Sequence, residues 1–309
     1  MNRQLDVNQD VVRIDRIVRG MRGGSQSQLI QGHDGRFYVA KFTGNPQGNR
    51  TLINEWVATT LLQRLGISVP PLVLLAYDPS SLKAPVSFAM GEREIPVERG
   101  LHLGSLCPVD PDKQVILDFL PRTLLERTVN LEDFIGILVA DTFLDQIDRR
   151  QAIFVRTRPR QRLAFRALFI DHGMTFGGSA WELKSLKKDY LYFDRQVYLD
   201  IDVHSSCERI LERIESLTDG SLLDMAVGIP ETWFACGDYD VFACVCASLD
   251  QRKKDLRRLV GKQLSSIGLD CSKRSSIQPC RLAPKEVERI RLRAEGRNAT
   301  PGFATFPKV

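Results

Sequence analysis

Apolar residues recur at strand spacing from Asp10 to Met21, through Val11, Val12, Ile14, Ile17 and Val18, until Gly23-Gly24 interrupts the run. Two more strands are predicted over residues 27–31 and 37–42. His33-Asp34-Gly35 between them has the composition of a hairpin turn. The period then lengthens. Over residues 50–65, Leu52, Ile53, Trp56, Val57, Thr60, Leu61 and Leu65 fall at helical intervals, and Gly66 ends the helix. Val69-Pro70-Pro71 leads rigidly into a strand over 72–75, and residues 83–107 read as short strands and turns.

From Leu117 the texture is helical. The spacing predicts a helix over 131–144, with Asn130 as its N-cap and Phe134, Ile135, Leu138, Val139 and Phe143 as its apolar face. Residues 152–155 and 163–170 read as two strands paired as a hairpin around an arginine-rich turn. Helices follow over 205–217, 222–227, 240–249 and 251–264, and a last one over 284–295. No internal repeat or low-complexity segment interrupts this order. The pattern predicts an α+β chain in three parts: a β-rich N-terminal lobe (1–106), a mainly helical C-terminal lobe (107–264) and a basic polar tail (265–309).

Composition changes that picture little. A chain of 309 residues with 43% apolar and 26% charged residues is an ordinary globular sequence able to bury a sizeable core. The net charge of +5 does not by itself point to nucleic acid, which is not expected as a direct ligand. Basic residues cluster over 156–162, 252–262 and 285–297, where they read as solvated surface or as contacts to phosphate or a partner. The seven cysteines are odd in number and lack metal-ligand spacing, and Cys244 and Cys246 sit in an apolar run that reads as core. Reduced thiols, a polar N-terminus and no apolar run of about 20 residues lead to the expectation of a soluble cytoplasmic protein without a membrane span.

The candidate chemistry lies in five places. Gly23-Gly24-Ser25-Gln26-Ser27 is a turn between strands where backbone N–H groups could approach phosphate oxygens; taken alone, it reads first as a plain hairpin turn. Lys41 ends a strand, and Glu55 follows in the next helix, so a lysine bridging phosphates could be oriented by that glutamate. By itself Lys41 would be a surface lysine. Asp148 follows a helix closely, in a loop where a carboxylate could take a proton from an attacking hydroxyl, with Arg149 as its pair or as a phosphate contact. Asp171 ends an apolar strand 23 residues later and enters His172-Gly173, where it either caps a turn or binds Mg²⁺ through oxygen. The order of these elements along the chain is that of kinase-like folds, which bring a base and a metal-binding carboxylate to one phosphate.

The sequence resembles the HipA-like kinase family, in particular its compact HipA-like kinase domain group, which is distantly similar to phosphatidylinositol 3/4-kinases. The resemblance spans about Arg13 to Val260. It is carried by Gly-Gly-Ser-Gln-Ser (23–27), Val-Ala-Lys-Phe (39–42), Asn-Glu-Trp (54–56), Leu-Gly-Ile-Ser-Val-Pro-Pro (65–71) and Gly-Leu-His-Leu-Gly-Ser (100–105). Further carriers are Asp-Phe-Leu-Pro (118–121), Asp-Arg-Arg-Gln (148–151), Ile-Asp-His-Gly-Met-Thr-Phe (170–176) and Ile-Pro-Glu-Thr-Trp (229–233). It implies a bilobal protein-kinase-like fold and an ATP- and Mg²⁺-dependent kinase, expected to phosphorylate a protein on Ser/Thr. Asp148 would be the catalytic base, Asp171 the metal ligand, Lys41 the phosphate contact, Glu55 its orienting partner, and Gly23 to Ser27 the phosphate loop.

One position departs from the family. Five residues after Asp148, where an asparagine usually provides a second metal ligand, stands Ile153, and Gln151 is the nearby amide that could replace it. That departure keeps open a weak or inactive pseudokinase that binds nucleotide or a partner, and a lipid or small-molecule kinase is a further alternative. Expected partners are a protein or small-molecule phosphate acceptor and, by resemblance, an antitoxin-like protein. Larger HipA proteins also imply that phosphorylation of Ser25 or Ser27 could switch the loop off, the alternative being that both hydroxyls only donate to ATP.

Overall fold

Three strands open the chain: β1 (Val11–Gly20), β2 (Gln28–Gly32) and β3 (Phe37–Lys41). Helix α1 (Arg50–Arg64) leaves this sheet, and β4 (Leu72–Tyr77) returns to it. After a small exposed hairpin, β5 (Ser87–Met90) and β6 (Arg93–Pro96), β7 (Gly100–Leu106) inserts between β3 and β4. The result is a closed barrel in the order β1-β2-β3-β7-β4, sealed where Val11–Arg13 runs parallel to Leu74–Ala76. Closure removes the unpaired edges that an open five-stranded sheet would expose.

The second half holds α2 (Arg122–Leu125), α3 (Asp133–Leu144) and the antiparallel hairpin β8 (Gln151–Thr157) with β9 (Ala164–Ile170). It continues with α4 (Val203–Glu215), α5 (Ser221–Asp224), α6 (Asp238–Arg252) and α7 (Leu256–Ser266). The computed structural model describes residues 11–157, 163–183, 191–199 and 201–269. The helix expected over 284–295, most of the tail and part of the arginine-rich turn lie outside these residues.

Strand alternation sorts β3 into two faces. Tyr38 and Ala40 enter the barrel core with Val12, Ile14, Ile30, Phe42, Leu75 and Tyr77. Phe37 and Val39 take the other side, in a separate apolar group with Leu29, Cys107, Val18, Met21 and Ile116, and Lys41 continues that face. The barrel also buries His102, whose Nδ1 accepts the Thr43 N–H at 3.1 Å. Burial drives its pKa down to about 4.

Helix α1 differs from the one-faced helix that the spacing predicts. Residues Thr51 to Thr59 are buried on every side, because the helix lies between the barrel and the helical half, while Arg50 and Thr60 are partly exposed and Gln63 and Arg64 at its end are exposed. Its end is a Schellman turn: Gly66, at φ 74°, donates to Gln63 O and Ile67 donates to Leu62 O. That turn aims residues 67–71 into the second half, where Ser68 O accepts the Phe169 N–H and Ser68 N donates to Asp133. One core accordingly runs from Leu52, Trp56, Leu61, Ile67 and Leu74 into α3, β8, β9 and the later helices.

Helix α3 likewise has no polar face: all twelve of its residues are buried, including Asp133 and Asp141. Asn130 does not cap it. Its amide pairs with the backbone of Ala167 in both directions, at 2.9 and 3.0 Å, and donates to Asp133 Oδ2. In α6, Cys246 is core but Cys244 is exposed, since two residues along a helix turn roughly to opposite sides. Among the described residues, no helix is long and apolar enough to cross a membrane.

Candidate active site

Four of the residues singled out in the sequence meet in one place. β3 delivers Lys41, and its Nζ donates to Glu55 Oε2 of α1 at 2.9 Å and to Asp171 Oδ1 at 2.8 Å. The β8–β9 register explains why Asp171 is there. Gln151 pairs with Ile170, the last residue of β9, so the next residue emerges beside the Gln151 side chain. Gln151 Nε2 donates to Asp171 Oδ2 at 2.8 Å. Residues separated by 130 positions in sequence thus share one ion pair.

The electrostatics favour charge at this point. Burial works against the Lys41 ammonium, but Glu55 and Asp171 outweigh it and raise its pKa, so it stays protonated. Burial also works against the Asp171 carboxylate, yet Lys41, Arg150 and the Gln151 hydrogen bond hold it below the usual range. Glu55 is buried more deeply. Its pKa is raised by that burial and by Asp171, against the pull of Lys41 and of the His172 N–H, which it accepts at 2.8 Å. Of the two carboxylates on Lys41, Asp171 carries the firmer negative charge.

Asp148 lies in the loop between α3 and β8, at the surface. Its Oδ1 accepts the Arg149 N–H at 2.7 Å. The arginine that organises this loop is the next one. Arg150 is fully buried, pairs bidentately with Asp141 of α3, and donates to Ile170 O and to His172 Nδ1 at 3.1 and 2.8 Å. It thereby fixes both ends of Asp171, which adopts the left-handed region at φ 61°. The sequence offered Arg149 and Arg150 as neighbours of the same type, and only burial distinguishes them.

Gly23 to Ser27 forms the turn between β1 and β2, as composition suggested. Within it, the Gln26 side chain is turned away toward the small hairpin. It bonds Ala89 O at 2.7 Å and Ala89 N at 2.9 Å, tying the turn to β5. Ser25 and Ser27 hydroxyls lie 2.8 Å apart, and Ser27 is buried. A phosphate on Ser27 would require the turn to leave this position.

Whether the residues suit a metal ion is a question of donors. Asp171 offers carboxylate oxygen, and Gln151, with its amide N–H on Asp171, keeps its Oε1 available. Ile153, two residues along β8, pairs with Leu168 and offers no ligand. No cluster of three His, Cys, Asp or Glu that could hold a metal occurs among the described residues. An all-oxygen set with few protein ligands suits Mg²⁺, which keeps waters and binds substrate phosphates.

Beyond Asp171 the chain turns sharply through Gly177, at φ 75°, where a Cβ would stand 2.0 Å from Glu182 O. His172 is buried, and burial together with Arg150 and Lys41 lowers its pKa well below the ordinary value. His102 and His172 are therefore both held neutral. Above about pH 6.5 neither affects stability. As pH falls below that, the unfolded chain takes up protons that the folded one refuses, and each histidine costs up to about 1.4 kcal/mol per pH unit. For His102 the loss continues down to its folded pKa of about 4. Urea midpoints are expected to fall steadily from about pH 6.5 to pH 5, and a flat profile over that range would contradict the burial of both rings.

Residues 14–97 match the family model described as HipA-like kinase. No curated protein matches the chain. Among solved structures, that of hydra Fam20 with sugar aligns at a TM-score of 0.50 and 14% identity, covering 83% of this chain and 87% of that one. The Helicobacter pylori proinflammatory kinase CtkA aligns at 0.46 and 13%, covering 80% and 94%. The Golgi casein kinase with Mn/ADP bound aligns at 0.47 and 13%, covering 80% and 74%. At such identities the likeness is one of fold. The chain has a protein-kinase-like fold, strand-rich first and helical second, and the family match together with this fold supports a kinase.

Proposed function

We propose, given that residues 14–97 match the HipA-like kinase model, that this chain is an ATP- and Mg²⁺-dependent kinase that phosphorylates a protein on Ser/Thr. One observation carries the reading: Lys41 bridges Glu55 and Asp171 at 2.9 and 2.8 Å, and Gln151 lies on Asp171's other oxygen. Phosphoryl transfer depends on positioning and charge neutralisation more than on covalent help, and this cluster provides fixed charges of both signs. A divalent ion held by Asp171 and Gln151 Oε1 would neutralise phosphate oxygens. Lys41 would give up part of its ion pair to a phosphate, with Glu55 keeping it oriented. Asp148 Oδ2 would accept the proton of the acceptor hydroxyl, since Oδ1 is already bound to the Arg149 N–H.

The half-buried side chains of Val18, Met21, Val39 and Ile116 share the face of β3 that ends in Lys41. They form an apolar wall suited to a flat base, two residues up the strand from the phosphate contact. The Gly23–Ser27 turn would bring its backbone N–H groups to the phosphates. The pseudokinase alternative is favoured by one observation, the hydrocarbon side chain at Ile153, which leaves a single carboxylate for the metal.

Incubation with labelled ATP and Mg²⁺ tests the reading, with label sought on the protein itself and on added proteins. Lys41→Ala is expected to weaken ATP binding by on the order of 10–150-fold, the worth of one charge-assisted contact. Unchanged affinity by calorimetry would remove Lys41 from the nucleotide site.

A further inference from the structure

We propose that Asn54 is a positioning residue for the reaction, latching α1 to the segment that follows Asp171; this rests on the kinase reading above. Asn54 is fully buried beside Glu55. Its Nδ2 donates to Gly173 O and Thr175 O at 2.9 Å each and lies 3.3 Å from Gly178 O. Its Oδ1 accepts the Trp181 Nε1–H at 2.7 Å. Three carbonyls on one side and an N–H donor on the other allow only one orientation of the amide. No other residue type of that size provides both donors and an acceptor.

The segment it holds needs support from outside itself. Asp171, Phe176 and Trp181 all lie in the left-handed region without being glycine, at φ 61°, 59° and 56°. Such conformations persist only where tertiary contacts over-determine them. Asn54 and Glu55 together bond the backbone at residues 172, 173 and 175 and approach it at 178. Arg50, one helical turn earlier, donates to Ser179 O, lies 4.4 Å over the Trp181 ring and pairs with Asp238 at 2.7 Å. Helix α1 therefore carries two linked functions. Glu55 orients Lys41, and Asn54 fixes the turn from which Asp171 reaches the same lysine. Without the amide, only Glu55, which accepts from both Lys41 and the His172 N–H, and Arg150 would be left to hold Asp171 against Lys41.

Two variants test this. Asn54→Asp turns a carboxylate oxygen toward three carbonyls, and Trp181→Phe removes the indole donor, with some ring volume, while keeping an aromatic ring against Phe242. The readouts are basal ATP hydrolysis, KM for ATP, the gain in ADP affinity on adding Mg²⁺, and amide exchange over residues 172–178. Asn54→Asp is expected to lower kcat on the order of 10²-fold, the scale of a displaced reacting group, with KM little changed and the Mg²⁺ gain lost. Trp181→Phe is expected to lower kcat about 3–10-fold, the worth of one neutral hydrogen bond. A merely structural asparagine would lower melting temperature and leave kcat and the Mg²⁺ gain intact. A folded Asn54→Asp with wild-type values would overturn the proposal, and if that variant does not fold, wild-type values in Trp181→Phe would do so. Should the wild-type chain neither bind ADP nor hydrolyse ATP, the kinase reading falls. Amide exchange then decides the latch: faster exchange over 172–178 in the folded variant supports it, and unchanged exchange overturns it.

Discussion

Asp148→Asn is expected to lower phosphoryl transfer by about 10²–10⁴-fold, the usual contribution of a general base, while leaving ADP affinity unchanged. The carboxylate is exposed and, among the described residues, bonds the Arg149 N–H, so the amide can replace it without disturbing the fold. Asp171→Asn should behave differently. It removes the charge facing Lys41 Nζ at 2.8 Å and the oxygen on which Gln151 rests, so the Mg²⁺-dependent tightening of ADP should vanish together with transfer. Calorimetry with and without Mg²⁺ separates the two variants. Wild-type transfer in both would make these carboxylates structural and end the kinase reading.

Arg150→Met is expected to destabilise the protein by about 3–5 kcal/mol, because it leaves the Asp141 carboxylate buried without its cation. Burial already pushes Asp141 toward its neutral form, and Arg150 is what pulls it back. The double variant Asp141→Leu/Arg150→Met should recover much of that stability in urea unfolding, since an apolar pair can replace a buried ion pair. Activity should not return. Arg150 also donates to Ile170 O and His172 Nδ1, on either side of Asp171, and methionine can hold neither. Recovery of both stability and transfer would mean that Arg150 only neutralises Asp141.

Local pattern was enough to locate most elements. The alternation in residues 11–20, the helical spacing of 50–64 and the paired strands around 151–170 each express a period that neighbouring side chains impose on themselves. The candidates Lys41, Glu55 and Asp171 were marked by their order along the chain, not by the unusualness of any one of them. Burial was harder to read. The apolar spacing of α1 and α3 predicts one face each, whereas α3 and the first ten residues of α1 are largely enclosed, and their polar residues Asn54, Glu55, Asp133 and Asp141 are buried and bonded. A polar residue inside a helix looks like a solvent position until its partner is known, and these partners lie up to 127 residues away.

The order of strands and helices is written in the residues themselves, because period and turn chemistry act over a few positions. So is the order of the charged residues along the chain. Long-range packing settled the rest: which arginine is structural, that Gln26 serves β5 while Gln151 serves Asp171, and that α1 joins Lys41 to the turn beyond Asp171. Those outcomes depend on hydrogen bonds between distant segments, whose energies exist only once barrel closure and the shared core have brought the segments together.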